Sequence, residues 1–238
     1  MAQQPRFRRF LLNVSGEALM GGEEFGIAPS TMRRIAGDIA EARALGVQVA
    51  VVVGGGNIFR GVNSSKIGVG RVAGDNMGML ATVINALALR SALEDAGVEA
   101  RVQSAIPMHT VCEQFIRERA DRHLRRGRVL VLAGGTGNPF FTTDSAAILR
   151  ASELGCDAVL KATKVDGVYS ADPEQEPDAE RYDALTYNEV LERDLKVMDA
   201  SAVALARDNR IPILVFSLHN AGSFARALTG REASTVIR

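Results

Sequence analysis

Cysteine is nearly absent from this chain: Cys112 and Cys156 are the only two among 238 residues, far apart and without a C-x-x-C spacing. A disulfide framework and a cysteine-built zinc site are thereby excluded, and a reducing, cytoplasmic setting is expected. A surplus of charge is also missing, since 28 Lys and Arg balance 28 Asp and Glu. A basic nucleic-acid-binding domain, and nucleic acid as a substrate, are not expected. Long hydrophobic runs are lacking too. The uncharged stretches between Arg43 and Arg60, Asp75 and Arg90, and Arg128 and Asp144 all fall short of the ~20 apolar residues that cross a bilayer, so no membrane is expected. The opening segment carries Arg6, Arg8 and Arg9, but the apolar run behind them is too short for an export signal and has no small-residue cleavage site. The three histidines, His109, His123 and His219, show no metal or triad spacing and read as surface or satisfied polar residues, and no metal-ligand set stands out. No G-x-S-x-G nucleophile occurs.

What is present is apolar periodicity. Apolar residues make up 47%, and a chain of this length can bury about 70–75% of its unfolded surface in one large core. Residues 47–53 and 128–133 are aliphatic or β-branched runs that end abruptly in glycines, as parallel strands buried on both faces do. Weaker runs lie at 10–14, 98–104, 158–163 and 213–217. A helix is predicted from Pro29 to Gly46, with Met32, Ile35, Ile39 and Ala42 at helical spacing. A second is predicted from Arg71 to Gly97, so poor in polar residues that sheet or another subunit should cover it. Further helices are predicted at 110–120, 143–154, 186–193 and 200–209. Between Asp166 and Asp183 the composition turns to Asp, Glu, Pro and Gly, which predicts a surface loop or ribbon. Strand alternating with helix predicts one α/β domain spanning the chain.

Strand ends that run into glycine and a helix start are natural anion sites, because bare N–H groups and the helix dipole point into the gap. Three such places occur: Ser15-Gly16-Glu17, Gly54-Gly55-Gly56-Asn57, and Gly134-Gly135-Thr136-Gly137-Asn138-Pro139. None has the spacing of a P-loop, so any ATP must be held by another scheme. Gly68-Val69-Gly70-Arg71-Val72-Ala73 imitates a dinucleotide fingerprint but follows no strand. Thr136, Asn138, Thr142, Thr143 and Asp144 beside Phe140 and Phe141 suit a sugar, base and phosphate, or else Thr142 or Thr143 simply caps a helix. Arg60, Lys161 and Lys164, next to glycine turns and a strand end, are the candidate phosphate cations.

Long motifs in order then resemble one family. Ser15 to Leu19, Gly54 to Gly61, Gly74-Asp75 before Met77 to Thr82, Gly135 to Asp144 and Lys161 to Tyr169 are similar to the bacterial uridylate kinases of the amino-acid-kinase family, over about residues 8–237. The resemblance implies a three-layer α/β/α sandwich with a mainly parallel central sheet, a homohexamer, and MgATP-dependent phosphorylation of UMP to UDP. It implies ATP contacts from Asn13, Val14, Ser15, Gly16, Gly56, Arg60, Thr163, Tyr169 and Asp172. UMP contacts would come from Gly55, Asp75, Thr136, Gly137, Asn138, Pro139, Phe140, Phe141, Thr142 and Thr143. Asp75 suits a ribose hydroxyl, since a carboxylate beside the UMP phosphate would be repelled. GTP activation and UTP inhibition are implied too, while Arg90, Arg101 and Arg128 face either a subunit interface or solvent. Asp199 either caps the next helix or, as in relatives, orients catalytic lysines.

One position departs from the pattern. Where the family carries a phosphate-binding lysine two residues before Ser-Gly-Glu, this chain has Asn13. Asparagine donates hydrogen bonds but brings no charge. Loss of one such cation reduces phosphoryl transfer on the order of 10³-fold unless a neighbour substitutes. Arg60, Lys161 and Lys164 are the possible substitutes. The expectation is an active kinase with reduced turnover, and the alternative is an impaired homologue that binds nucleotide in a regulatory or structural role. A kinase of the same fold acting on a carboxylate is disfavoured by the aromatic and threonine-rich acceptor segment.

Overall fold

The computed structural model describes residues 5–60, 68–173, 175–176, 178–218 and 221–238. β1 (Arg9–Val14) leads into a 3-10 turn (Gly16–Leu19), then α1 (Pro29–Ala44), β2 (Gln48–Val53), α2 (Arg71–Asp95) and β3 (Ala100–Ser104). β4 (Glu113–Gln114), α3 (Arg117–Arg125), β5 (Val129–Ala133), α4 (Thr143–Leu154) and β6 (Ala158–Thr163) follow. The last part holds β7 (Val168–Tyr169), β8 (Arg181–Tyr182), β9 (Ala184–Leu185), α5 (Tyr187–Glu192), α6 (Ala200–Asn209), β10 (Ile213–Ser217), α7 (Ser223–Thr229) and β11 (Ser234–Ile237).

Among the described residues nine strands form one sheet in the order β4-β3-β5-β2-β1-β6-β10-β11-β9. Every pairing from β4 to β10 is parallel, and β11 turns back antiparallel on β10. Side chains alternate across this sheet as the pleat requires. Phe10, Leu12 and Val14 face a core shared with Ile35 and Ile39 of α1, Leu89 and Leu93 of α2, and Phe224 of α7. Leu11, Val159 and Ile213 face the opposite core, built with Leu124 of α3, Ile148 of α4, Val190 of α5 and Val203 of α6. Helices thus cover both faces of a mainly parallel sheet, the three-layer α/β/α arrangement that the family resemblance implies.

Local chemistry sets the ends of these elements. Pro29 occupies the first turn of α1, where its missing N–H costs nothing. Thr142 caps α4, which stops at Gly155 in the left-handed region, and Thr186 and Glu189 form a reciprocal capping box on α5. Residues 166–183 contain the predicted ribbon, in which β7 and β8 pair antiparallel.

Three expectations need correction. The helix predicted over 110–120 begins only at Arg117, because Glu113 and Gln114 pair with Gln103 and Ser104 at the sheet edge and the Gln103 amide donates to the Glu113 carboxylate. The short α7, β9 and β11 lie in segments for which no element was predicted. Lastly, α2 is long and apolar enough to cross a bilayer by length and composition, contrary to the count of uncharged runs. It packs instead on α1, β3 and β5. On its far side Val72, Met77, Leu80 and Ile84 remain exposed, so the sheet covers only part of it.

Candidate active site

The carboxyl ends of β1 and β2 are fused through backbone. A Cβ on Gly16 would stand 2.5 Å from the Gly56 nitrogen, and one on Gly54 would stand 2.6 Å from the Gly16 nitrogen. Only glycine permits this approach. Ser15 caps the 3-10 turn, its hydroxyl accepting from the Ala18 N–H at 3.2 Å. Val14 is core, and its carbonyl accepts from the Gly54 N–H at 2.8 Å. Arg60 lies beside this junction in an ion pair with Glu17.

The ends of β1 and β6 carry a buried polar pair. Asn13 and Lys161 are register partners. The Asn13 amide donates to Asp144 Oδ1 at 2.7 Å, and the Lys161 ammonium pairs with the same oxygen. Asn13 is fully buried, and its own Oδ1 has no hydrogen-bond partner among the described residues. Asp144 stands in the first turn of α4, where the helix dipole favours a carboxylate. Asp199 precedes α6 at its cap position, but its carboxylate accepts the Thr142 hydroxyl proton and makes no cap bond. Of the two roles considered for Asp199, a side-chain helix cap or orienting a lysine, the structure shows neither, and the contact with Lys161 is made by Asp144 in the first turn of α4. Lys164 is exposed and forms no ion pair among the described residues.

Two cavities flank this cluster. One of about 530 Å³ is lined by Thr163, Tyr169, Asp172, Lys196 and Val215, and Val215 is the register partner of Lys161. The other, about 250 Å³, is lined by Gly55, Gly56, Asp75, Phe141, Thr142 and Thr143, the last of these adjoining Asp144 in the chain. The predicted ATP residues Thr163, Tyr169 and Asp172 thus share the larger cavity, whereas Gly56 lines the smaller one beside the predicted UMP residues. Thr136, Gly137, Asn138 and Pro139 are not among the lining residues. Thr136 and Asn138 bond to each other within their own turn. Phe140 is exposed with φ at +71°, and its N–H donates to Asp75 at 2.8 Å. Both cavities open at the carboxyl ends of parallel strands, on either side of β1, the place where open α/β sheets bind ligands.

The model of the amino acid kinase family matches residues 8–217. The uridylate kinase of Paramagnetospirillum magneticum is 63% identical over 100% of this chain and 99% of its own length, and that of Zymomonas mobilis is 58% identical over 100% and 98%. The chain belongs to the uridylate kinase branch of the amino acid kinase family. Among solved structures, UMP kinase from Bacillus anthracis superimposes with a TM-score of 0.93 at 40% identity, covering 98% of this chain and 96% of that one. UMP kinase from Ureaplasma parvum gives 0.92 at 35%, covering 98% and 99%.

Within this uridylate kinase relative, several supporting residues escape sequence reasoning. Asn85, fully buried on α2, donates to the Gly54 carbonyl at 2.7 Å and exchanges two amide hydrogen bonds with Asn57, at 2.7 and 3.0 Å. Asn57 in turn donates to the Gly26 carbonyl. Thr82 accepts the Gly134 N–H at 2.8 Å, which ties the third glycine turn to the same helix. The available signal was one asparagine inside an otherwise apolar stretch. At the ribbon, Asp166 accepts from the Tyr169 hydroxyl at 2.5 Å and from Arg181 at 3.0 Å. Partial burial pushes the Asp166 carboxyl up, but these two donors prevail and hold it below the usual carboxylate range.

Groups outside the cluster are chemically quiet. Both cysteines are free, and burial pushes the Cys156 thiol up to about 12, so it stays protonated at neutral pH. His123 is a satisfied polar residue between Glu113 at 3.0 Å and Arg128 at 3.1 Å, and His109 is exposed. His219 lies outside the described residues. Arg101 and Arg128 both pair with Glu99, at 2.8 Å each. Arg90 and Arg101 line a third cavity of about 340 Å³ with His109, Glu113 and Arg119. Among the described residues no group of three or more His, Cys, Asp or Glu side chains is placed to hold a metal ion.

Proposed function

We propose that this chain is a UMP kinase that transfers the γ-phosphoryl group of ATP to UMP, giving UDP and ADP in pyrimidine nucleotide synthesis. The observation that supports the reading is the pair of cavities at the carboxyl ends of the parallel strands, one on the β6 and β10 side of β1 and one on the β2 side, with Asn13 and Lys161 paired on β1 and β6 and both bonded to Asp144. ATP takes the larger cavity, on Thr163, Tyr169 and Asp172, with its phosphates toward Ser15, Gly16 and Arg60. UMP takes the smaller, with Asp75 on its ribose and Thr142 and Thr143 on its phosphate.

An oxygen of the UMP phosphate forms the new bond to the γ-phosphorus as the bond to the bridging oxygen of ADP breaks. That oxygen is already deprotonated near neutral pH, so no general base is required. Catalysis is in-line positioning plus charge neutralisation by backbone amides and cations. Lys161 is the side chain best placed to stand in for the charge Asn13 lacks. Mg²⁺ fits as a phosphate-borne ion that neutralises ATP, because Asp144 is engaged by Lys161 and Asn13, and Asp199 by Thr142.

The chain acts as one cytoplasmic domain within a homohexamer. The exposed stripe of Met77, Leu80 and Ile84 on α2 supports burial against another subunit. Control by GTP and UTP is carried over from the resemblance, and the recess lined by Arg90, Arg101 and Arg119 suits an anionic effector. A coupled assay tests the reading: UMP-dependent ADP release well above that with CMP or a carbamate-type acceptor is expected. Tight binding of both nucleotides without turnover would identify the second reading, an impaired regulatory homologue, for which Asn13 is the motivating residue.

A further inference from the structure

At the mouth of the smaller cavity Arg71 opens α2 and Asp75 lies one turn further on. The Arg71 Nε–H donates to both Asp75 oxygens, at 2.9 and 2.8 Å, while Asp75 Oδ2 also accepts the Phe140 N–H at 2.8 Å. The guanidinium carbon lies 5.7 Å from the Phe140 ring centroid, within cation–π reach. Its two terminal amino groups have no hydrogen-bond partner among the described residues.

Helix stability does not account for this pair. A cation in the first turn opposes the macrodipole, and a basic residue four positions before an acidic one is the weaker order for a helical ion pair. Exposure separates the partners: the Arg71 side chain is 51% exposed and that of Asp75 only 12%. Among the described residues Arg71 is also the one cationic side chain lining the cavity. A largely buried carboxylate therefore faces the space assigned to an anionic nucleotide, and a single exposed guanidinium compensates it.

We infer that Arg71 is a positioning residue of the acceptor site, neutralising Asp75 so that this carboxylate can hold ribose hydroxyls without repelling the phosphate of a nucleoside monophosphate. The inference rests on reading the cavity as the UMP site. Asp75 joins the first turn of α2 to the acceptor segment through Phe140, held in the left-handed region at a strain that a bulky residue bears only where its surroundings fix it. Ribose hydroxyls then take acceptor directions left open on Oδ1, while Arg71 keeps the net charge of the pair at zero.

Calorimetry on the full chain with UMP and uridine, beside steady-state kinetics, tests this. Arg71→Gln is expected to weaken UMP about ten-fold and uridine less than about two-fold, with KM for ATP within about two-fold. Arg71→Lys, which keeps the charge, should recover most of the loss. In an Asp75→Asn background, where no carboxylate remains to be neutralised, Arg71→Gln should cost less than about two-fold further. Equal weakening of UMP and uridine, or a full ten-fold loss in the Asp75→Asn background, would overturn the inference. Wild-type protein that binds ATP but not UMP would overturn the acceptor reading itself, a result separable from any property of Arg71.

Discussion

Asn13 and Lys161 stand side by side on adjacent parallel strands and share one carboxylate oxygen, that of Asp144. One carboxylate thus balances one ammonium, and the pair of strand ends carries no net charge toward the phosphates. In the family pattern, with lysine at position 13, the same three groups would carry one positive charge.

Asn13→Lys is therefore expected to raise kcat by about ten-fold or more under saturating UMP and MgATP. Stopped-flow or quench measurements of the chemical step give the relevant number. An unchanged rate of phosphoryl transfer would show that Lys161 already supplies the whole of the missing charge.

Asp144→Asn removes the group that orients both side chains. Turnover should fall by about 100-fold, since Lys161 then has no fixed position relative to the transferring group. Stability should fall by about 2–3 kcal/mol, somewhat below the cost of breaking a fully buried ion pair, because both partners keep some water access. Kinetics and urea denaturation on the same preparation read the two effects separately.

Asn85→Ala leaves the Gly54 carbonyl and the Asn57 Oδ1 without partners in a buried setting, while the Asn57 amide keeps its bond to the Gly26 carbonyl. A loss of about 2–3 kcal/mol follows from two unsatisfied polar groups. KM for UMP should rise more than KM for ATP, because Gly55 and Gly56 line the cavity proposed for UMP. A variant equally stable, with unaltered kinetics, contradicts the anchoring role.

Asp38 gives a pH signature. Burial pushes its carboxyl above the usual range, against the opposing pull of the Gly222 N–H and of Arg34. A raised carboxyl binds its proton more tightly in the folded state, so its contribution to stability is full below the unfolded value of about 3.9 and is lost as pH rises through the folded value. The melting temperature of Asp38→Asn minus that of wild type should accordingly increase between about pH 4 and pH 7. A difference that is flat or declines across that range refutes the assignment.

Much of this molecule is legible from residue order because local and tertiary preferences agree. α4 and α6 run over 143–154 and 200–209 as predicted, the first marked by a threonine cap and a terminal glycine. The segment at 110–120 fails for the opposite reason. Its helical pattern competes with pairing to β3, and the sheet edge takes Glu113 and Gln114. Glycine turns after strands point to the site because their chemistry is local. Side-chain partnerships do not: nothing along the chain tells that Asp144 rather than Asp199 holds Lys161, or that Asn85 reaches Gly54 across 31 positions.

On the proposed assignment of donor and acceptor sites, the nesting of Gly16 against Gly54 and Gly56 makes the two stations parts of one casting. A methyl group at either turn would wedge them apart, so such damage must lengthen the path between donor and acceptor phosphorus and cannot be confined to a single nucleotide. The gap across which the phosphoryl group travels is thus machined into the main chain before either guest arrives.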